Sequence, residues 1–265
     1  VSGVANLSGG TVRTDANGRS SVTVTAGSSA GTVVVRASLG NLSQTFSLTV
    51  RPPGPVFNAT GIVTTARNQA GVSPCGLATI FGSNIAIGVT GVVNTNFLGV
   101  GALPTSYNNV EVLMGGIASP ILALSNVGGA ESIVVQAPCE LAPGRTSVVI
   151  RIPGAQAQVD NVQVFRGAPG LFETPASGSQ RAYAAIVRPD GSYVTPTNPA
   201  LRGEVVLAAV TGLGQTTPAA STNRVGNGSQ QVAAPLVVGV NDQGVRIVSA
   251  TYAPGMIGVY WVAFE

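Results

Sequence analysis

The sequence predicts an all-β protein made of tandem Ig-like β-sandwich modules with little or no helix. Its apolar residues fall in short runs separated by turns rich in Gly and Pro, a spacing typical of β-sandwiches. No stretch of ten or more residues has the apolar periodicity of an amphipathic helix. The 265 residues leave room for about two domains at ~150 residues each.

The first segment, residues 1–51, is predicted to be part of one module. Val22 and Val24, and then Val33 and Val35, alternate with small polar residues, which indicates half-buried strands. The stretch DANG at 15–18 predicts a hairpin turn, because Asn-Gly readily takes positive φ angles. The stretch RPPGP at 51–55 predicts a stiff linker.

Residues 52–167 and 168–265 are predicted to be two versions of one β-sandwich. GLATIFGSNI, VEVLMGGIASPILALS and ESIVVQAP in the first correspond to EVVLAAVTGLG, LVVGVNDQGVRIVSAT and GVYWVAFE in the second. The second has no counterpart to residues 146–152 and 158–165 of the first. We therefore expect it to lack its last strand or strands.

The final strand is then predicted to be an assembly strand: it borders the missing strands, so a strand from a neighbouring subunit could pair with it and complete the module. Its residues are Val259, Tyr260, Trp261, Val262, Ala263 and Phe264. Tyr260 and Trp261 occupy adjacent positions, and side chains alternate between the two faces of a strand. We expect Trp261 to point into the core and Tyr260 to point outward.

Residues 56–265 resemble the uncharacterised C-terminal domain first catalogued in Solibacter proteins, and their repeat resembles IPT/TIG Ig-like modules. The resemblance rests on CGLATIFGSNI, APCELAPG, APGLFE, DGSYVTPTNPALRGE, TGLGQTTP and YAPGMIGVYWV, in that order. Residues 1–51 resemble the later strands of an invasin/intimin-type bacterial Ig-like domain. These resemblances imply a secreted or cell-surface protein and carry no established activity.

Cys75 and Cys139 are the two cysteines of the chain, and each is preceded by Pro. They form either a disulfide or two buried free thiols. The resemblance to surface proteins favours the disulfide, because disulfides persist in oxidising compartments outside the cytoplasm.

The charge of the chain disfavours nucleic acid as a partner. Charged residues make up 9% of the sequence and the net charge is +3, against roughly 25% charged residues in an ordinary domain. The basic residues are scattered Arg side chains, whereas nucleic-acid binding needs a clustered basic face. No apolar run reaches the ~20 residues of a membrane-spanning helix.

The residue types that most catalysis requires are missing. The chain contains no His and no Lys, which excludes a Ser-His triad, a P-loop lysine and a Schiff base. Glu131 and Glu140 flank a predicted strand as solvated residues, and Gly212-Leu213-Gly214 is predicted to be a turn at a strand end. We expect no catalytic residue, no metal and no cofactor.

A surface this poor in charge has weak electrostatic protection against self-association, so we expect it to be buried in an assembly or glycosylated. Four Asn-x-Ser/Thr triplets permit N-glycosylation; they begin at Asn6, Asn41, Asn58 and Asn227.

Three functions fit these features. The first is an extracellular structural protein, a surface or fibre-forming subunit that associates head to tail by exchanging strands. The second is an adhesin-like module that recognises a glycan or protein through its long loops, residues 88–109 and 218–235. The third is a stalk fragment of a larger surface protein.

Overall fold

The computed structural model describes residues 5–27, 31–51, 53–95, 102–174 and 182–265. The chain forms two compact units: Val1–Gly54 with Pro153–Ala155, and Pro55–Ile152 with Gln156–Glu265. All regular secondary structure in the described ranges is β, which confirms the predicted all-β fold class. Within those ranges no helix has the length and hydrophobicity needed to cross a membrane.

The first unit contains two antiparallel strand pairs. Their strands are β1 (Ala5–Leu7), β2 (Val24–Ala26), β3 (Gly31–Leu39) and β4 (Leu42–Val50). β1 pairs with β2, and β3 pairs with β4 along nine residues. The predicted turn at residues 15–18 is confirmed: the amide of Gly18 donates to the carbonyl of Asp15 at 3.0 Å, and Gly18 has a φ of +72°.

The β3–β4 hairpin has one apolar and one polar face. Its apolar face carries the cross-strand pairs Val33/Leu48, Val35/Phe46 and Leu39/Leu42. The alternate pairs are polar, as in Arg36/Thr45 and Ser38/Ser43. Val33 is buried, but Phe46 is 52% exposed and Leu39 is 79% exposed. Most of the apolar face is therefore open to solvent.

The second unit begins with a β-sandwich. Its strands are β5 (Val56–Thr64), β6 (Leu77–Ser83), β7 (Gly91–Asn94), β8 (Ser106–Tyr107), β9 (Val110–Met114), β10 (Ile117–Ala118), β11 (Ile121–Val127), β12 (Ala130–Gln136), β13 (Gly144–Ile152) and β14 (Ala155–Val164). One sheet has the order β5-β6-β12-β11-β7 and the other the order β10-β9-β13-β14, with β8 also paired to β9. Fully buried side chains from both sheets form its core, among them Ile80, Leu124, Ile133, Val112 and Ile150.

The remaining residues form a seven-stranded sheet and two small hairpins. Their strands are β15 (Gly170–Leu171), β16 (Glu173–Thr174), β17 (Tyr183–Ala184), β18 (Ile186–Val187), β19 (Val206–Thr211), β20 (Thr216–Thr217), β21 (Gln231–Val232), β22 (Gly239–Val240), β23 (Gln243–Gly244), β24 (Ile247–Tyr252) and β25 (Tyr260–Phe264). The sheet order is β15-β19-β25-β24-β21-β20, with β18 also on β19. The order β19-β25-β24 repeats the order β6-β12-β11 of the sandwich.

The prediction that the last strand has a free edge for a neighbouring subunit is wrong. β25 is a central strand, paired to β19 on one edge and to β24 on the other. Both rows of its backbone hydrogen-bonding groups are thus used inside the chain. The segment from Val259 to Phe264 therefore offers no free edge to a neighbouring subunit.

The predicted orientation of Tyr260 and Trp261 is also wrong. Tyr260 is fully buried, together with Val262 and Phe264 on the same face of β25. The phenol of Tyr260 donates to the carbonyl of Gly214 at 2.5 Å, so its polar end is satisfied within the core. Trp261 consequently lies on the opposite face, where it is half-buried.

Residues 52–167 and 168–265 were predicted as separate modules, and the structure places nearly all of both in the second compact unit. No division of that unit falls near residue 167. The residues that join the two modules, referred to below as the junction, lie around Cys75 and Cys139.

Candidate functional site: the disulfide-centred junction

Cys75 and Cys139 form a disulfide, as predicted. The pairing of β6 with β12 explains their proximity, because Leu77 is the register partner of Gln136. Cys75 lies two residues before Leu77, and Cys139 lies three residues after Gln136. Both cysteines therefore leave the five-stranded sheet at the same end.

The disulfide lies in the hydrophobic core of the other module. Cys75 and Cys139 are 1% and 5% exposed. They belong to one cluster of buried residues with Val206, Ala208, Val210, Leu213, Ala220, Tyr252, Tyr260, Val262 and Phe264. All of these partners come from residues 168–265. The bond that closes a loop in the sandwich thus supplies part of the core of the seven-stranded sheet.

A second buried cluster also joins the modules. Leu77, Leu103 and Leu122 of the sandwich pack with Ile257, and the half-buried Phe172 and Val225 pack against them. Burial of apolar surface stabilises by about 25 cal/mol per Å², so separation of the modules would expose apolar side chains on both sides.

The amide of Gln136 connects the modules inside the junction. Gln136 is fully buried; its Nε2 donates to the hydroxyl of Tyr252 at 3.0 Å and its Oε1 accepts the amide of Asn223 at 2.8 Å. The Tyr252 hydroxyl also accepts the amide of Gly258 at 2.7 Å. Loss of one partner would leave a buried polar group unsatisfied, at a cost of about 1–3 kcal/mol.

Burial raises the pKa of Tyr252 to about 12, although hydrogen bonds from Gly258 and Gln136 oppose the shift. Burial also raises the pKa of Tyr260. The two rings meet edge to face, with 5.2 Å between centroids. Both phenols therefore stay protonated at physiological pH and serve as neutral hydrogen-bonding groups.

The end of β19 is hydrogen-bonded to the start of β6. The hydroxyl of Thr211 accepts the amide of Leu77 at 2.8 Å and donates to the carbonyl of Gly258 at 2.6 Å. The hydroxyl of Ser73 donates to the carbonyl of Gly212 at 3.1 Å. The predicted strand-end turn at 212–214 is confirmed, since β19 ends at Thr211, and this turn is one side of the junction.

Two glycines allow the backbones to approach this closely. A Cβ on Gly76 would lie 2.8 Å from the Cα of Gly212, closer than packed atoms approach. Gly258 has a φ of +76°, and a Cβ there would collide with the side chain of Leu77. The junction therefore requires both a positive φ and an absent side chain at position 258.

The two long loops proposed as a binding surface are tied together at the junction. Asn223, from residues 218–235, accepts the amide of Leu103 with its Oδ1 at 2.7 Å. Its Nδ2 donates to the carbonyl of the same Leu103 at 2.8 Å. Leu103, from residues 88–109, is 4% exposed. Within their described parts, these loops use polar groups to hold the modules together.

Glu140 and Glu131 are not the freely solvated carboxylates that the sequence predicted. Glu140 accepts the hydroxyl and the amide of Thr222, and the hydroxyl of Thr222 accepts the amide of Cys139 at 2.8 Å. Partial burial alone would raise the pKa of Glu140, but the hydrogen bonds from Thr222 outweigh it and lower that pKa. Glu131 accepts the amides of Ile85 and Ala86.

Arg188 and Glu204 organise the stretch DGSYVTPTNPALRGE at 190–204. Their side chains are 14% and 22% exposed, and Nε of Arg188 lies 2.5 Å from Oε1 of Glu204. The guanidinium of Arg188 also donates to the carbonyl of Pro199 at 2.9 Å. The pKa of Glu204 is lowered by the amide of Leu201 and by Arg188. This motif therefore folds as a loop around one ion pair.

The four glycosylation candidates lie on the surface. Asn6, Asn41, Asn58 and Asn227 are all exposed. The side-chain oxygen of Asn58 accepts the hydroxyl of Thr60, and that of Asn227 accepts the hydroxyl of Ser229. Modification of these residues stays a prediction.

In the described part of the chain, no group of three or more His, Cys, Asp or Glu side chains could hold a metal ion. The carboxylates described above bind backbone amides, a hydroxyl or an arginine. Their chemistry at this site is the fixing of loops.

No family model matches the chain, and no curated protein matches it. Among solved structures, domains 4–9 of the surface layer protein SbsC are similar at 17% identity, with a TM-score of 0.19. The alignment covers 92% of this chain and 32% of that one, so the chain spans about a third of its length. A likeness with so low a TM-score carries no argument about function.

The glycines of the junction provide a mutational test with a matched control. We predict that Gly258→Ala destabilises the protein by about 2–5 kcal/mol, since a collision with Leu77 adds to the backbone strain. Gly255→Ala, at a φ of +72° with no atom within 4 Å, adds only the strain of about 1–2 kcal/mol. Urea denaturation measures both changes, and equal losses would contradict the close approach at residue 258.

Proposed function

We propose that this protein is a non-catalytic structural component that acts outside the cell, either secreted or at the cell surface. The observation that carries the proposal is the disulfide buried between the two modules. Disulfides of this kind form and persist in oxidising compartments. A protein whose core depends on one is suited to work there.

The arrangement favours a mechanical role. The disulfide joins residues 64 positions apart, and that covalent loop cannot be extended by force along the chain. At roughly 3.4 Å per residue, the intact disulfide prevents the chain from lengthening by on the order of 200 Å under force. The hydrogen bonds of Thr211, Gln136 and Asn223 join the sandwich to the seven-stranded sheet. We therefore expect the sandwich and the sheet to unfold together under force.

The cellular location of the protein and the oxidation state of its two cysteines test this proposal. We predict that an antibody raised against the protein labels the surface of intact cells of its native source, or finds the protein in their medium. Trapping with a maleimide polymer in denaturant, which exposes both buried positions, should leave Cys75 and Cys139 unmodified before reduction and add two mass increments after reduction. Protein found in the cytosolic fraction with both thiols trapped before reduction would refute an extracellular role.

We also propose that the protein associates with copies of itself through the apolar face of the β3–β4 hairpin. Leu42 is 75% exposed and Leu48 is 44% exposed on that face, alongside Phe46 and Leu39. A two-stranded sheet is marginally stable in water, and a second copy of the hairpin would cover its apolar side. The surface has little charge to oppose such contact.

Sedimentation velocity tests whether a second copy of the chain covers this face. We predict that the wild-type chain sediments as dimers or larger species at high concentration, and that F46S/L48S shifts it to monomers. The double variant T45S/S47A, on the polar face of the same strand, is the control and should sediment like the wild type. Monomers at every wild-type concentration would contradict self-association.

A binding module remains a second candidate, but its surface differs from the one that the sequence suggested. The described parts of the long loops are engaged at the junction. Exposed residues on these loops, among them Asn108 and Ser221, are the part left for a ligand.

A further inference from the structure

The outer edge of β4 is an unpaired strand edge nine residues long. β4 pairs with β3 on one side, and among the described residues no strand or loop forms backbone hydrogen bonds with its other side. Its residues from Leu42 to Thr49 are all exposed, and Val50 is half-buried. β3 is less open, because three valines in its first half are buried or half-buried. The more accessible edge of the hairpin is therefore that of β4.

The other edge strands in the described ranges have features that oppose pairing with another chain. Exposed edges are commonly protected by short strands, bulges or charged side chains. β5 has a register shift between Phe57 and Ile62, β14 carries Asp160, and β3 carries Arg36. The remaining edge strands there are two to four residues long. β4 has none of these features, since its sequence LSQTFSLTV contains no charge, no Gly and no Pro.

The turn of the hairpin determines which backbone groups of β4 point outward. Leu39 and Leu42 are paired across the two-residue loop Gly40-Asn41, and Gly40 has a φ of +57°, as in a type II′ turn. In such a hairpin the closing pair is hydrogen-bonded, and hydrogen-bonded and non-hydrogen-bonded pairs alternate from there. The amides and carbonyls that face away from β3 therefore belong to the four hydroxyl residues of β4, which are Ser43, Thr45, Ser47 and Thr49.

We propose that β4 pairs edge to edge with β4 of a second copy of the chain, which creates a four-stranded antiparallel sheet. Two antiparallel copies overlap along the whole strand when Phe46 lies opposite Phe46 of the second copy. In that register Thr45 lies opposite Ser47 and Ser43 lies opposite Thr49, so outward-facing groups meet outward-facing groups and each such pair exchanges two hydrogen bonds. A shift by one residue would place outward-facing groups opposite inward-facing ones. The longest overlap of β4 with itself is therefore also one that can form hydrogen bonds.

The side chains that meet in this register are also compatible. On the apolar face, the two Phe46 rings form a non-hydrogen-bonded pair, in which side chains lie closest, and aromatic cross-strand pairs are stabilising. Leu42 lies opposite Val50, and Gln44 lies opposite Leu48. On the other face Ser meets Thr, a further favourable cross-strand pairing. Since β4 has no charged residue, no like charges of β4 face one another across the contact.

This inference rests on the proposed self-association and specifies the backbone contact through which it occurs. The contact is isologous, because both copies use the same strand around a two-fold axis. Pairing through β4 therefore produces closed pairs of chains, and growth beyond a pair would require another surface. The match of β4 to itself favours a second copy over a different protein as the partner. In the pair, the apolar faces of both hairpins join into one continuous face.

Cysteine cross-linking on the polar face tests the register and leaves the apolar face intact. Thr45 would lie opposite Ser47 of the second copy with about 5.5 Å between Cα atoms, a separation that a disulfide can span. We predict that mild oxidation of a mixture of T45C and S47C yields a covalent mixed dimer. A mixture of T45C and S43C is the control and should yield little, because the register separates those positions by roughly 14 Å along the strand. Both native cysteines are already joined in a disulfide and do not compete.

The possible results distinguish edge pairing from self-association in general. Monomers of the wild-type chain in sedimentation velocity would overturn both. Wild-type dimers without a cross-link between T45C and S47C would overturn edge pairing alone, because two hairpins stacked through their apolar faces hold their polar faces apart. Equal cross-linking in the control mixture would overturn the register in the same way.

A pair of charge variants provides a second test of the same register. T45E/S47E places like charges opposite each other across the contact, whereas T45E/S47K places opposite charges there. We predict that T45E/S47E dimerises about tenfold more weakly than T45E/S47K at low ionic strength, as measured by sedimentation. Circular dichroism checks that both variants are folded. Equal dimerisation of the two folded variants would contradict the pairing of Thr45 with Ser47.

Discussion

The disulfide between Cys75 and Cys139 is the constraint on which the second compact unit depends. It arises in the sandwich, where the pairing of β6 with β12 brings both cysteines to one end of the sheet. It is buried among side chains of the seven-stranded sheet, including Val210 and Tyr252. A loop of this length stabilises by roughly 4 kcal/mol on the chain-entropy model, and here that stabilisation is shared by two sheets.

Around the disulfide, polar and apolar contacts support one another. The Gln136 amide is satisfied by groups from the other module, and Thr211 joins the ends of strands from both. These hydrogen bonds form only where the backbones meet closely, which Gly76, Gly212 and Gly258 permit. Buried polar groups that are satisfied across the junction favour one packing of the two sheets. A rigid body of this kind suits the structural role proposed above.

Much of the fold could be predicted from local signals. Alternating apolar residues and Gly-rich turns indicated the all-β class and the turn at Asp15, and the resemblance to surface proteins favoured the disulfide. The junction could not be predicted, because it joins Leu77 to Thr211 and Gln136 to Tyr252 across more than a hundred residues. Which of Tyr260 and Trp261 points into the core could not be predicted from the alternation of apolar and polar residues. Val259 and Val262 are both apolar and lie on opposite faces of the strand. The hydrogen bond from Tyr260 to Gly214 decided it.

Native-state hydrogen exchange tests the dependence of both sheets on the disulfide most directly. In the wild-type protein, amides of β12 and β25 should open with the same free energy, because neither sheet can loosen alone. The double variant C75A/C139A should lower that free energy in both strands by a similar amount, about 2–5 kcal/mol. A fall confined to β12, with β25 protected as before, would contradict the account and show that the disulfide serves the sandwich alone.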